Sequence, residues 1–273
     1  MTDPRKGTDR APVTDALGPV YVGVDFSATR LRLLMSDEDG EELIREDWPL
    51  PALPTEEAWS WEVGGRIAEL FAHEHQRRSA LGIGIACPGK VDAVGGRLQT
   101  CVEVPEWDGL SVVAALRAHI DVPVCAISRA HAAIMAEAAV GAAAGEDHVL
   151  YVTLRGVPEA ALLIAGRLAR GAHGDAGALP ALPELPAGVP LDDETLQLVA
   201  GALTDAVALL DPALLVLDGE DAHLALLAPL LQRVLDEVTA GVRVERSALG
   251  ELAALNGALR AATLVAFEGE RRA

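Results

Sequence analysis

Asp25, Glu103, Arg129, His131 and Arg155 are side chains whose types allow proton transfer or ion pairing: two carboxylates, two guanidiniums and an imidazole. Arginine stays protonated in essentially any protein site, so Arg129 cannot accept a proton; it clamps an anion, or it pairs with Asp25 or Glu103. His131, two residues on and near a helix start, is either a proton shuttle or a solvated or capping histidine. Asp25 either offers its carboxylate to a cleft or bonds the N–H groups of the turn beside it. Glu103, Trp107 and Asp108 either line that cleft or, as Trp107-Asp108-Gly109, form the turn that caps the next helix. His173 and Asp175 stand in a Gly-rich loop (GAHGDAG), where they are solvated or free to turn into a site. His73 and His75, two apart on one helix, point to different faces, which disfavours a metal pair. Cys87, Cys101 and Cys125 make neither a CxxC pair nor a disulfide ladder and read as small core residues in a reducing cytoplasm.

Periodicity gives the elements that must position these groups. VYVGVD and TRLRLLMS are strands separated by a break at Phe26-Ser27-Ala28, and Asp37-Glu38-Asp39-Gly40 turns the second into EELIRED. A helix is predicted over 56–78, with Val63, Ile67, Leu70 and Phe71 at 3- and 4-residue spacing. LGIGIACPG is a buried strand, followed by a small hairpin over 91–100 and a helix over 111–119 capped by Asp108 or Ser111. VPVCAIS is another buried strand, and an Ala-rich helix follows over 130–144. The opening pattern then returns as DHVLYVTL, a break at 155–159, AALLIAG and RLARG. Residues 178–190 hold four prolines and read as a stiff linker. A helix over 193–210, the strand ALLVLDG and helices over 222–238 and 250–267 close the chain.

Two strand–turn–strand–turn–strand units, each followed by helix and strand, predict duplicated lobes around a cleft. The 273 residues, 51% apolar and 23% charged, can fill such a core, mostly with Leu, Val and Ala. A net charge of −19 disfavours nucleic acid and anionic lipid as partners. No charge-free run is long enough to cross a membrane, and residues 1–19 read as a polar, disordered tail without a secretory h-region.

In order along the chain, six stretches resemble the ROK family of bacterial sugar kinases and repressors: VGVDFSATRLRLL, GIGIACPGKVDAVGGRL, VPEWDGLSV, GRLARGAHGDAGAL, DPALLVLDG and SALGELAALNGALRAA. The resemblance covers about residues 20–267. It implies an α/β, two-lobed actin/hexokinase-like fold of duplicated ribonuclease H-like lobes, with an interlobe cleft. One lobe would span 20–122 and the other 123–255, and residues 256–273 would form a helix returning to the first. A homodimer is implied by the resemblance alone, and the family's DNA-binding helix-turn-helix is absent.

The departures from the family pattern bear on function. The family's catalytic base is the aspartate of an Asn-Asp pair, here Ser128-Arg129. Its second phosphate loop, Gly-Thr-Gly-x-Gly-Gly-Gly, reads Arg155-Gly156-Val157-Pro158-Glu159-Ala160-Ala161, where proline removes a donor and Glu159 repels phosphate. Ser27-Ala28 replaces the Gly-Gly of the first hairpin. The sugar-gripping Glu and His fall at Ala178 and Ala181, the family's Asn at Glu103, and the Cys-x-Cys-Gly zinc run is missing. Arg155, Gly156 and Gly219 mark the degenerate nucleotide-site positions, and Asp25 stands where the family keeps a metal-associated aspartate. The expectation is a catalytically degenerate member that takes a small molecule in its cleft without transferring phosphate and without zinc or ATP and magnesium. A repurposed cleft enzyme and a kinase with relocated groups are the alternatives.

Overall fold

The computed structural model describes residues 18–74, 79–239 and 241–270. Most of the expected 1–19 tail, His75 and the end of the helix expected to reach Arg78 lie outside them. β1 (Val20–Phe26), β2 (Arg30–Asp37) and β3 (Glu42–Pro49) form an antiparallel meander, with Asp25 opposite Arg32. The helical stretch that follows is three segments end to end: α1 (Glu56–Trp59), a π-turn (Ser60–Gly64) and α2 (Gly65–Glu74). Thr55 caps its start by accepting from the Ala58 N–H. β4 (Ala80–Cys87) then runs parallel to β1. The hairpin of β5 (Lys90–Asp92) and β6 (Arg97–Thr100) and helix α3 (Val112–Arg117) precede β7 (Val124–Ser128), giving the sheet order β3-β2-β1-β4-β7.

Helix α4 (Arg129–Val140) crosses to a second sheet on the same plan. β8 (Val149–Thr153), β9 (Glu159–Ile164) and β10 (Arg167–Ala169) make its meander. Then come α5 (Asp193–Leu210), β11 (Leu214–Asp218), α6 (Asp221–Val238) and β12 (Arg243–Arg246), in the order β10-β9-β8-β11-β12. The chain ends in a 3-10 turn (Gly250–Leu252) and α7 (Ala253–Glu270). Each sheet builds its own core, the first around Phe26, Trp59 and Trp107, whose rings meet at 5.1 and 5.4 Å. Leu150, Leu203 and Leu227 are buried in the second. Among the described residues no helix is long and apolar enough to cross a membrane.

Several expectations need correction. β7, expected to open the second lobe, hydrogen-bonds to β4 in the first sheet. β12 was not expected, because RVER carries charge on both faces and lacks the alternation that marks a strand. Residues 178–190 form no long element, yet Leu182 and Leu185 are buried and Leu185 bridges Gly156, so this stretch packs onto the second lobe. Asp108 does not cap α3: its carboxylate accepts the Cys101 N–H at 2.7 Å, and Trp107 is buried with its indole N–H on the Leu53 carbonyl.

Helix α7 packs back on the first sheet, and glycine sets the distance. A Cβ on Gly84 would lie 2.0 Å from the Ala258 carbonyl oxygen. One on Gly257 would lie 1.8 Å from that of Ala132, in α4. Both neighbours are backbone and cannot swing aside, so overpacking strain is unavoidable. Gly257→Ala or Gly84→Ala is expected to cost about 3 kcal/mol in chemical denaturation. Gly201→Ala, mid-helix in α5 with open space around it, should instead stabilise by up to about 1 kcal/mol.

Candidate functional site

The parallel strands of both sheets end at the lobe junction, where ligands of open α/β sheets collect. Ser128 closes β7 and caps α4, its hydroxyl accepting the His131 N–H at 3.3 Å. That cap aims Arg129, the first helical residue, at the end of β1. Arg129 Nε lies 3.1 Å from Asp25 Oδ1, and Nη1 lies 3.5 Å from Glu103 Oε1. The contact at 3.1 Å is an ion pair without hydrogen-bond alignment, and neither atom has another hydrogen-bond partner among the described residues. Arg32 Nη1 stands 3.8 Å from the other oxygen of Asp25 and donates to the Glu251 carbonyl at 2.7 Å, while Nη2 donates to the Glu251 carboxylate at 2.9 Å. Asp25 therefore pairs with arginine, and Glu103 takes the neighbouring turn, accepting the Ala28 N–H at 3.4 Å. Burial pushes the Asp25 carboxyl upward against the pull of Arg129 and Arg32. Burial also opposes the charge on Arg129, but Asp25, Glu159 and Glu103 outweigh it and raise its pKa.

Glu159, which opens β9, reaches across the junction. One of its oxygens accepts the Gly89 N–H at 2.9 Å, from the loop after β4, and the other accepts the Ala130 N–H at 3.3 Å, at the start of α4. A carboxylate there meets the positive end of the helix. Burial raises its pKa to about 7 against the lowering pull of Arg129 and the two N–H groups. The sequence marked Glu159 only as a phosphate repellent; its bridge between lobes was not foreseen.

Beyond Glu159, Arg155 Nε holds both oxygens of Asp218 at 3.0 and 3.1 Å, and the Thr153 hydroxyl donates to the same carboxylate at 3.0 Å. Gly156 pairs with Leu185, and Gly219 packs beside Leu224. Among Arg129, Arg155, Glu159, Asp218 and Gly250 the space left is about 20 Å³, room for roughly one water. Glu159 and Asp218 both present carboxylates to this space.

On the other side of Glu159 the junction is open. A cavity of about 510 Å³ reaches Glu103, Glu159, His131, Lys90, Asp175 and Glu184. A second, of about 400 Å³, shares Lys90, Ser128, His131 and Gly174 with it and continues to Arg170 and His173. His131 is only 7% exposed, which corrects the solvated reading; burial foremost, with Arg170 adding, holds its pKa down near 4. His173 and Asp175 are exposed on their loop, Asp175 3.6 Å from Lys90. Cys101 borders the large cavity as a thiol that burial raises to about 11, and Cys87 is buried. Asp25, Glu103 and Arg129 thus come together, His131 faces the adjacent cavity, and Arg155 belongs to a separate pair. Sequence reasoning missed Arg32, Asp218 and Glu251, which are ordinary strand-end and loop charges until the sheets bring them together. Among the described residues no three His, Cys, Asp or Glu side chains group to hold a metal ion.

Comparison with known proteins identifies the frame. The family model described as ROK family matches residues 21–181. A search of the curated proteins gives no match. Among solved structures, the ROK hexokinase from Thermus thermophilus is 22% identical with a TM-score of 0.71, over 92% of this chain and 100% of that one. A ROK family glucokinase from Streptomyces griseus, solved with glucose and AMPPNP, is 19% identical at 0.72, over 90% and 99%. A ROK family transcriptional regulator, a homologue of the E. coli MLC protein, is 15% identical at 0.78, over 93% and 80%. These likenesses show the fold, a two-lobed actin/hexokinase-like α/β architecture.

Two measurements probe the ionic junction. Arg129→Met leaves Asp25 buried beside the more distant Arg32, and should cost about 3–5 kcal/mol, part of it recovered in Asp25→Asn/Arg129→Met. For Glu159, a folded pKa near 7 against 4.5 unfolded means the native state keeps a proton the unfolded chain has lost. Its contribution therefore falls as pH rises from about 4.5 to 7. His131, at about 4 against 6.5, contributes the opposite slope between those values. Glu159→Gln should remove only the first, so denaturation curves of variant and parent should diverge in the variant's favour toward pH 7, by at most about 3 kcal/mol.

Proposed function

The chain belongs to the ROK family, and from that premise we propose that it is a member that binds a small molecule between its lobes without transferring phosphate. One observation carries this reading: the position of the family's base holds Arg129, locked between Asp25 at 3.1 Å and Glu103 at 3.5 Å. A guanidinium has no lone pair to accept the hydroxyl proton that phosphoryl transfer releases. Glu159 and the Arg155–Asp218 pair reinforce it, since they fill the space phosphates would need. The large cavity beside them falls in the size range of small-molecule pockets, roughly 300–1,000 Å³, and so supplies the binding half of the proposal. The proposal includes the two-copy assembly that the family resemblance implies and a cytoplasmic setting.

A second reading, a cleft enzyme of different chemistry, draws on Glu159. A carboxyl with a pKa of about 7 on the wall of a cavity has the proton affinity of a general base. Against it, both oxygens of Glu159 already accept backbone N–H groups. The same engagement weighs against Glu159 as a relocated kinase base.

Calorimetric titration with Mg·ATP should give no heat of binding at micromolar concentrations, and a coupled ADP-release assay across common hexoses and amino sugars should stay at background. Micromolar nucleotide binding, or turnover that Asp25→Asn abolishes, would overturn the proposal. Native mass spectrometry of the purified protein should reveal a co-purifying metabolite in place of a nucleotide.

A further inference from the structure

The two cavities carry opposite charge. In the larger, carboxylates at Glu103, Glu159, Asp175 and Glu184 face a single permanently charged cation, Lys90, which is already 3.6 Å from Asp175. Glu103 shares Arg129, but Glu184 has no ion pair or hydrogen bond among the described residues. In the smaller, Lys90 and Arg170 stand with His173 against Asp92. The Asp92 carboxylate is spent on its own turn, accepting the Val94 and Gly95 N–H groups, and Arg170 has no ion pair among the described residues. A free cation at one end and a free carboxylate at the other would be unremarkable on separate surfaces. Here Lys90, Ser128, His131 and Gly174 belong to both walls, so the chambers adjoin.

His131 sits at the waist. Its side chain is more than nine-tenths buried, faces both chambers, and its ring makes no hydrogen bond or ion pair among the described residues. Arg170 and Asp175 act on the ring electrostatically, and its nitrogens keep hydrogen-bonding capacity that a ligand in either chamber could fill. In its neutral form the ring offers one donor and one acceptor, which suits a hydroxyl in the middle of a ligand.

We infer that the two chambers form one elongated site for a zwitterionic small molecule. Its ammonium lies among Glu103, Glu159 and Glu184, its acid group at Arg170 and His173, and its central polar atoms on His131. This rests on the proposed ligand-binding role and gives that role a substrate class. An ammonium relieves the mutual repulsion of the carboxylates, and an acid group pairs with Arg170 in the smaller chamber. A neutral ligand would leave both sets of charge uncompensated.

The test is a factorial titration on one scaffold by calorimetry at pH 7.5. It uses glucosamine 6-phosphate (both charges), glucosamine (amine only), glucose 6-phosphate (acid only) and glucose (neither). 2-Amino-2-deoxyglucuronate serves as the carboxylate counterpart of the first. One of the two zwitterions should bind tightest, and which one does identifies the acid group. Arg170→Ala should weaken that zwitterion about tenfold and leave glucosamine unchanged, and Glu184→Gln should weaken all three amines about threefold or more while sparing glucose 6-phosphate. Both side chains are exposed, so the variants should fold. Equal affinity for glucose, tightest binding of glucose 6-phosphate, or no binding by any of the five overturns the inference. A parallel Mg·ATP titration judges the underlying reading on its own, since only nucleotide binding or turnover would remove that as well.

Discussion

A positive charge that cannot be discharged sits where the lobes meet. Arg129 begins α4, at the helix end that already carries positive potential, so its position is unfavourable unless negative groups gather around it. They do, from three directions: Asp25 from the end of β1, Glu103 from the segment after β6, and Glu159 from the start of β9. Arg32 and Glu251 continue the chain of charges from β2 to the turn before α7. Much of what occupies the junction is the electrostatic consequence of that one side chain.

The arrangement divides the cleft unequally. On the Asp218 side, ion pairs leave almost no free volume, and Arg155, Thr153 and Asp218 are bonded to one another. On the Lys90 side the cavities are roomy, and several charged or polar groups lack partners. Self-sufficient charge contributes mainly to architecture, because a ligand would have to break existing pairs to use it. Unpartnered charge next to space is where binding energy is still to be gained. The open space of the cleft thus lies on the Lys90 side, away from the Arg155–Asp218 pair.

Much of this was legible in the amino-acid order. The two meanders were visible in alternating apolar residues, and Arg129, singled out by the family resemblance, was marked as an anion clamp or as a partner for Asp25 or Glu103. The bridging role of Glu159 was not, because it depends on Gly89 and Ala130, 70 and 29 residues away, coming together through tertiary structure. His131 looked solvated because a lone histidine after a cap carries no local sign of burial. Asp108 looked like a helix cap because Asp before a helical run usually is one, yet its carboxylate is drawn back to Cys101. β12 escaped because its residues pair with β11 through backbone while presenting charged side chains. Local patterns fixed the elements; long-range electrostatics fixed the site.

The glycine contacts beneath α7 constrain the order of assembly. The first sheet presents Gly23 and Gly84 on one face, and what covers them is a helix more than 160 residues further along the chain. A nascent chain emerging from the ribosome therefore completes its opening meander long before the segment that shields it exists. Contacts of such sequence separation slow folding, because the intervening chain must be closed into a loop first. The face of the first sheet that α7 covers thus stays uncovered during synthesis until the last helix is made.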